Sequence, residues 1–207
     1  MMTRSVAIFA YDQMEALDFA GPFEVFTTAS RVAQNRGGDA PFRVFSVADS
    51  ARVKARAGLT ILVDHQLREV QEVDVLVVPG GVTHDVETDE RTTSWLRQLD
   101  ATTELTASVC TGVFLLAAAG IVTDHEVTTH WEDVDDLASR YPRLVVRRDV
   151  RWVDQGPVVT SAGISAGIDM SLHLVRRLVS SELAAAAAKQ MDYDWRSGNV
   201  DPHQVPS

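Results

Sequence analysis

The chain has 207 residues, 45% of them hydrophobic, a single cysteine and a net charge of −10. That hydrophobic share supports a folded core and excludes intrinsic disorder. The acidic balance argues against a nucleic-acid footprint, which needs a basic patch, and one cysteine excludes an intramolecular disulfide.

No Gly/Ser- or Pro-rich linker interrupts the chain, so residues 1–195 read as one domain and residues 196–207 as a loose tail. Met1-Met2-Thr3-Arg4 leads into a strand-like run, not a signal peptide. The longest apolar stretch, residues 113–122, is too short to span a bilayer. A cytoplasmic protein without membrane contact is expected.

The elements follow in order. Residues 5–10 form a continuous apolar run, as a parallel strand covered on both faces requires. A helix is predicted from Asp18 to about Asn35, with Phe19, Phe23, Phe26, Ala29 and Ala33 at helical spacing and Gly37-Gly38 ending it. Residues 42–47 form a second strand, residues 52–63 one or two short strands around Ala57-Gly58, and residues 73–78 a strand ending in Pro79-Gly80-Gly81. Asp89 caps a helix carrying Trp95, Leu96 and Leu99. Residues 105–109 read as a buried strand and residues 111–119 as an apolar helix stopped by Gly120, with Cys110 between them. Thr129 and Glu132 form a capping box for a helix with Trp131, Val134, Leu137 and Tyr141 on one face. Residues 145–153 and 158–161 flank the turn Asp154-Gln155-Gly156-Pro157 as a hairpin. Ser165 caps a helix bearing Ile168, Leu172, Val175 and Leu178, and a last helix runs from about Ser181 to Tyr193. The alternation predicts an α/β three-layer sandwich with a mostly parallel, flavodoxin-like central sheet. Ligands of such sheets bind beyond the carboxyl ends of the strands.

Three chemistry-bearing segments fall at such ends: residues 11–18, Pro79-Gly80-Gly81, and Cys110. A cysteine at a strand-to-helix junction has its sulfur near unpaired N–H groups and the positive end of the helix dipole, which favour the thiolate. The small neighbours Ser108, Thr111 and Gly112 suit a tight elbow. The plainer reading of a lone cysteine is a small buried hydrophobe.

Asp18 has two readings. As an N-cap it accepts a backbone hydrogen bond. As a general acid/base its pKa is raised by apolar surroundings and by a neighbouring thiolate, and in protonated form it delivers a proton to an intermediate. Gly80 and Gly81 form either a plain turn or a close approach of N–H groups to a ligand, which with the Thr111 N–H makes an anion-stabilising pocket. Thr111 either begins its helix or hydrogen-bonds a substrate through its hydroxyl. His130 is either a packed histidine or a partner for Cys110. The other histidines (His65, His84, His125, His173, His203) are scattered without metal-ligand spacing. Residues 162–167 lack a dinucleotide or phosphate-loop fingerprint and are assigned to close packing. Neither metal nor cofactor is expected.

The segments Leu17-Asp18-Phe19-Ala20-Gly21-Pro22-Phe23-Glu24-Val25-Phe26, Val78-Pro79-Gly80-Gly81, Ser108-Val109-Cys110-Thr111-Gly112, Ala117-Ala118-Ala119-Gly120, Thr128-Thr129-His130-Trp131 and residues 160–169 stand in this order over residues 5–195. Together they resemble the ThiJ/PfpI superfamily, with its class I glutamine amidotransferase-like fold. Within it the chain is most similar to the bacterial isocyanide hydratases. Thr111 follows the nucleophile where many members carry histidine, and Asp18 stands where glutamate is usual.

The resemblance implies Cys110, Asp18 and Thr111 as catalytic residues and Gly80 and Gly81 as substrate-binding, oxyanion-type groups. It implies cofactor-free hydration of isocyanides to N-substituted formamides through a thioimidate on Cys110, a small-molecule substrate, and a homodimer. The alternative it carries is a non-catalytic ligand or oxidative-stress sensor whose cysteine oxidises to a sulfinate. The ligand-binding halves of some AraC-type regulators share the motif set, but residues 196–207 do not supply their helix-turn-helix region. A glyoxal-detoxifying hydrolyase or a peptidase is the third reading, and Thr111 in place of histidine counts against the peptidase.

Overall fold

Val6, Ala7 and Ile8, Val75 to Val78, and Leu105, Ala107 and Val109 are buried without solvent contact. Strands apolar on both faces must be covered on both faces, which only a parallel sheet between helices provides. The computed structural model, which describes residues 2–198, has this architecture. Its elements are β1 (Arg4–Phe9), α1 (Ala16–Asn35), β2 (Phe42–Ala48), β3 (Arg52–Lys54), β4 (Thr60–Leu62), β5 (His65–Gln66), β6 (Val75–Val78), α2 (His84–Thr88), α3 (Glu90–Asp100), β7 (Leu105–Val109), α4 (Gly112–Ala118), β8 (Glu126–Val127), α5 (Val134–Arg140), β9 (Val145–Val146), β10 (Trp152–Asp154), β11 (Val158–Ser161), α6 (Ala166–Leu178) and α7 (Ser181–Gln190).

The main sheet has seven strands in the order β10-β11-β7-β6-β1-β2-β5. All neighbours are parallel except β10, which runs antiparallel to β11. Helices α1, α6 and α7 pack together as one group and α2, α3 and α4 as another. The central strands β7, β6 and β1 are neighbours, with Val78 beside Ser108 and Ile8 beside Val77. Their carboxyl ends therefore bring the loop before α1, the Gly80-Gly81 loop and Cys110 to one place.

Several local expectations need correction. Helix α1 starts at Ala16, not Asp18, because the Glu15 N–H is already fixed on the Gly80 carbonyl at 2.8 Å. The Thr129–Glu132 capping box does not form, since the Thr129 hydroxyl donates to the Cys110 carbonyl at 3.0 Å. A 3-10 turn, Trp131–Asp133, precedes α5 instead. Its tighter winding takes Trp131 off the face of Val134 and Leu137 and leaves it 76% exposed. The predicted strand 145–153 is broken, because β9 pairs with β8 in a separate two-stranded sheet and Asp149 adopts a left-handed φ of 61° before β10. Ser165 makes no side-chain cap bond, and α7 ends at Gln190 rather than Tyr193. The start of the predicted tail is anchored, with the Arg196 N–H on the buried Asp169 carboxylate at 3.1 Å. Residues 199–207 of that tail lie outside the described residues. Among the described residues no helix is long and apolar enough to cross a membrane.

Candidate active site

Cys110 leaves β7 in a left-handed conformation, with φ 57°, a region that costs a side-chain-bearing residue free energy and marks sites where surrounding structure imposes it. The imposing contacts are identifiable. The Cys110 N–H donates to the Ser161 carbonyl at 3.1 Å, and the Cys110 carbonyl accepts from Thr129. The elbow also demands glycine at two neighbours. A Cβ on Gly112 would lie 2.2 Å from the Val78 carbonyl oxygen, and one on Gly80 would lie 2.8 Å from Cys110 Cβ. The predicted strand-to-helix elbow is formed, and its cysteine is only 7% exposed.

Asp18 reaches this elbow from α1. The strap before the helix is stitched to the glycine loop by the Met14–Gly81 bridge and by the Glu15 bond to Gly80. Asp18 is the third residue of α1, and the N-cap position belongs to Glu15. The carboxylate does not cap its own helix: Oδ2 accepts the Gly80 N–H at 3.1 Å. Oδ1 is buried without a well-aligned hydrogen-bond partner among the described residues. The capping reading of Asp18 is therefore excluded.

Burial is the main cause that raises the Asp18 pKa from 3.8 to about 7; the Gly80 amide, the Cys110 thiol and the Ile164 amide oppose it. Burial, then the Asp18 charge, raises Cys110 to about 12, while the Thr111 N–H pulls the other way. These shifts run against the resting thiolate expected from the helix dipole. A donor at the start of α4 is present, but desolvation beside a carboxylate outweighs it. Both shifts favour a protonated thiol beside an Asp18 whose pKa is raised toward neutrality.

Thr111, which begins α4 as one of its two readings had it, and the two glycines adjoin this pair. Thr111 Oγ1 accepts the Gly81 N–H at 2.8 Å and donates to the Gly81 carbonyl at 2.9 Å. The Gly80 N–H is engaged by Asp18. Both loop amides already have acceptors, so of the three N–H groups expected to form an anion pocket only that of Thr111 is directed at the Cys110 sulfur. The Thr111 hydroxyl clamps the loop instead of projecting into free space. His130 fits the packed reading at a helix start: it caps the 3-10 turn, its Nδ1 lies 3.4 Å from the Glu132 N–H nitrogen and 3.5 Å from Asp133 Oδ2, and its ring packs on Gly163.

Two residues that pattern reading passed over belong to the site. Buried Tyr11 donates its hydroxyl to the Pro79 carbonyl at 3.1 Å, fixing the approach to the glycine loop. Its pKa is raised well above the ordinary value by burial and then by the charges of Asp18 and Cys110. Its position just past β1 was the available signal. Asp133, itself raised by burial, adds to the field that holds the Cys110 proton. Nothing in its sequence neighbourhood distinguishes it from a helix-start acid. Among the described residues no group of three or more His, Cys, Asp or Glu is placed to hold a metal ion.

The DJ-1/PfpI family model matches residues 4–177. A relative named isonitrile hydratase from Pseudomonas putida is 30% identical over 194 residues, covering 93% of this chain and 79% of that protein. The HTH-type transcriptional regulator CdhR of Pseudomonas aeruginosa is 32% identical over 157 residues, but the match covers only 45% of its length. A solved ThiJ/PfpI family protein from Pseudomonas syringae superposes with a TM-score of 0.82 at 26% identity, over 98% of this chain and 83% of that one.

Proposed function

The chain belongs to the DJ-1/PfpI family, and on that premise we propose that it hydrates isocyanides to N-substituted formamides, with Cys110 as nucleophile and Asp18 as the proton-transfer group. The observation that carries this reading is a fully buried carboxylate, free of any capping duty, set against the chain's one thiol and titrating near neutrality. A general base or acid works best with a pKa near the operating pH.

The ionised Asp18 takes the thiol proton as Cys110 sulfur forms its bond to the terminal carbon of R–N≡C. That proton passes from Asp18 to the same carbon, giving the thioimidate R–N=CH–S–Cys110. Asp18, ionised again, removes a proton from water as the water oxygen adds to the carbon, and passes that proton to the nitrogen. Collapse forms the C=O bond, breaks the C–S bond, and releases R–NH–CHO with the thiol restored. The net change is addition of one water, with no electron donor or acceptor required. A terminal carbon on a linear group is the kind of electrophile that reaches a thiol only 7% exposed. A peptide carbonyl, flanked by chain on both sides, is not.

Thr111 contributes by locking Gly81, and Gly80 by orienting the Asp18 carboxylate. The similarity to an isonitrile hydratase supports the reaction class, and the family premise carries the expectations of a homodimer, a cytoplasmic location and a small-molecule substrate. The second reading, a ligand sensor, is favoured by the match to part of a transcriptional regulator. Incubation with phenyl isocyanide, followed by NMR detection of formanilide, separates them. Formamide that appears with the wild-type chain and not with Cys110→Ala supports hydration. Binding without formamide, across several isocyanides, favours the sensor.

A further inference from the structure

The turn before α5, the segment between β9 and β10 and the turn before α6 line an open cavity of about 450 Å³. That volume falls among those of small-molecule pockets. Neither Cys110 nor Asp18 lines it, but two of its lining residues contact them. Thr129 donates to the Cys110 carbonyl, and the Ile164 amide acts on the Asp18 carboxylate.

Two further features of the lining bear on what it could hold. The first is apolar exposure: Trp131 is 76% and Ile164 40% exposed, and both face this cavity. The Trp131 ring rests only 5.6 Å from the His130 ring, which itself lies on Gly163. The second is charge. Arg147, Arg148 and Arg151 line the cavity beside Asp149, each in an ion pair with an acid outside the lining, Glu126, Asp135 and Asp169 respectively. Arg151 is neutralised by the buried Asp169. Arg147 and Arg148 are about half exposed, with side-chain exposures of 50% and 57%, and each pairs with an acid through a single terminal nitrogen. A guanidinium carries five N–H donors, so both retain donors for a ligand.

We propose that this cavity receives the N-substituent of the isocyanide, and that the substituent it fits is an aryl group bearing a carboxylate. The assignment rests on the hydratase reading for the reaction, but the cavity's affinity can be measured without turnover. An aromatic ring finds a stacking partner in Trp131 and apolar contact with Ile164, and its carboxylate meets the outer arginines. The reactive N≡C end then points past Thr129 and Ile164 toward the thiol.

The test is calorimetric titration of the folded chain with 4-formamidobenzoate and with formanilide, the charged and uncharged products of such substrates. The charged formamide is expected to bind more tightly. Trp131→Ala should weaken both by about tenfold, as loss of an aromatic anchor does, with Trp131→Phe restoring most of the affinity. The double variant Arg147→Ala/Arg148→Ala should weaken only the charged one, by about fivefold. Trp131 is exposed, so the fold tolerates its truncation, and matching melting curves verify this. Equal affinity for the two formamides, unchanged in all variants, overturns the proposal. If no isocyanide is turned over but the variant pattern is obtained, the hydratase reading fails and the cavity stands as an aryl-carboxylate site. If 4-carboxyphenyl and methyl isocyanide are turned over with a kcat/KM ratio that no variant changes, hydration stands and the cavity assignment falls.

Discussion

At Asp18 the penalty of burying a charge supplies the pKa that the proposed proton transfer requires. Its carboxyl titrates at about 7 in the folded chain against 3.8 when exposed. The folded state therefore binds this proton more tightly than the unfolded state. The stabilising contribution is full below about pH 3.8 and is lost as pH rises through about 7. Asparagine is neutral throughout and keeps an oxygen for the Gly80 N–H. Asp18→Asn is expected to raise Tm at pH 8, by up to roughly 4 kcal/mol of stability, with the gain vanishing near pH 4; thermal melts at the two pH values check this. The same variant should lose at least about a hundredfold in turnover. It should also ionise Cys110 at lower pH than wild type, because the opposing charge is gone; ultraviolet thiolate absorbance is a clean readout in a chain with one cysteine. Which residues converge was legible in the sequence, since each sits at a predicted strand end. The raised Asp18 pKa was legible too, from its apolar flanks; how far it rises, and that the Cys110 thiol is raised with it, was not. That depends on the depth of burial and on the Gly80 amide, 62 positions from Asp18.

At the scale of elements, the glycine loop and the elbow hold each other in place. The Thr111 hydroxyl satisfies both the N–H and the carbonyl of Gly81. Thr111→Val keeps the shape and removes both bonds. It is expected to cost about 1–3 kcal/mol, the cost of leaving a buried polar group unpaired, and denaturant titration measures it. Turnover should fall with it, since the loop that orients Asp18 loosens. The local signals that held were those with no competitor. Asp89 caps α3 through the Thr92 N–H, as its position promised. The Thr129–Glu132 signal failed because a distant partner, the Cys110 carbonyl, claimed the Thr129 hydroxyl. The strand predicted over residues 145–153 failed because its two halves pair with different partners, β8 and β11. Neither competitor is visible in a local window.

For the whole molecule, the alternation of apolar strands and helices made the α/β sandwich legible, because no other architecture covers so many doubly buried strands. The strand order was not legible, and it is the order β7-β6-β1 that turns three separated loops into one site. The family premise adds an expectation at this scale: light scattering of the 22.7 kDa chain should return twice that mass. A monomer at micromolar concentration would remove the homodimer from the account.

The central claim is that the reacting form of the protein holds one proton between Cys110 and Asp18, on the thiol, with Asp18 ionised. The measurement that tests it most directly is the pH dependence of kcat/KM for formamide formation, which reports groups of the free enzyme. The account predicts a rate that climbs through an inflection near pH 7, where Asp18 loses its proton, and stays level through pH 9, because the thiol titrates far above. Asp18→Asn should abolish that inflection. A profile that instead climbs through about 8.5, the value of a free cysteine, and is unchanged by Asp18→Asn would contradict it.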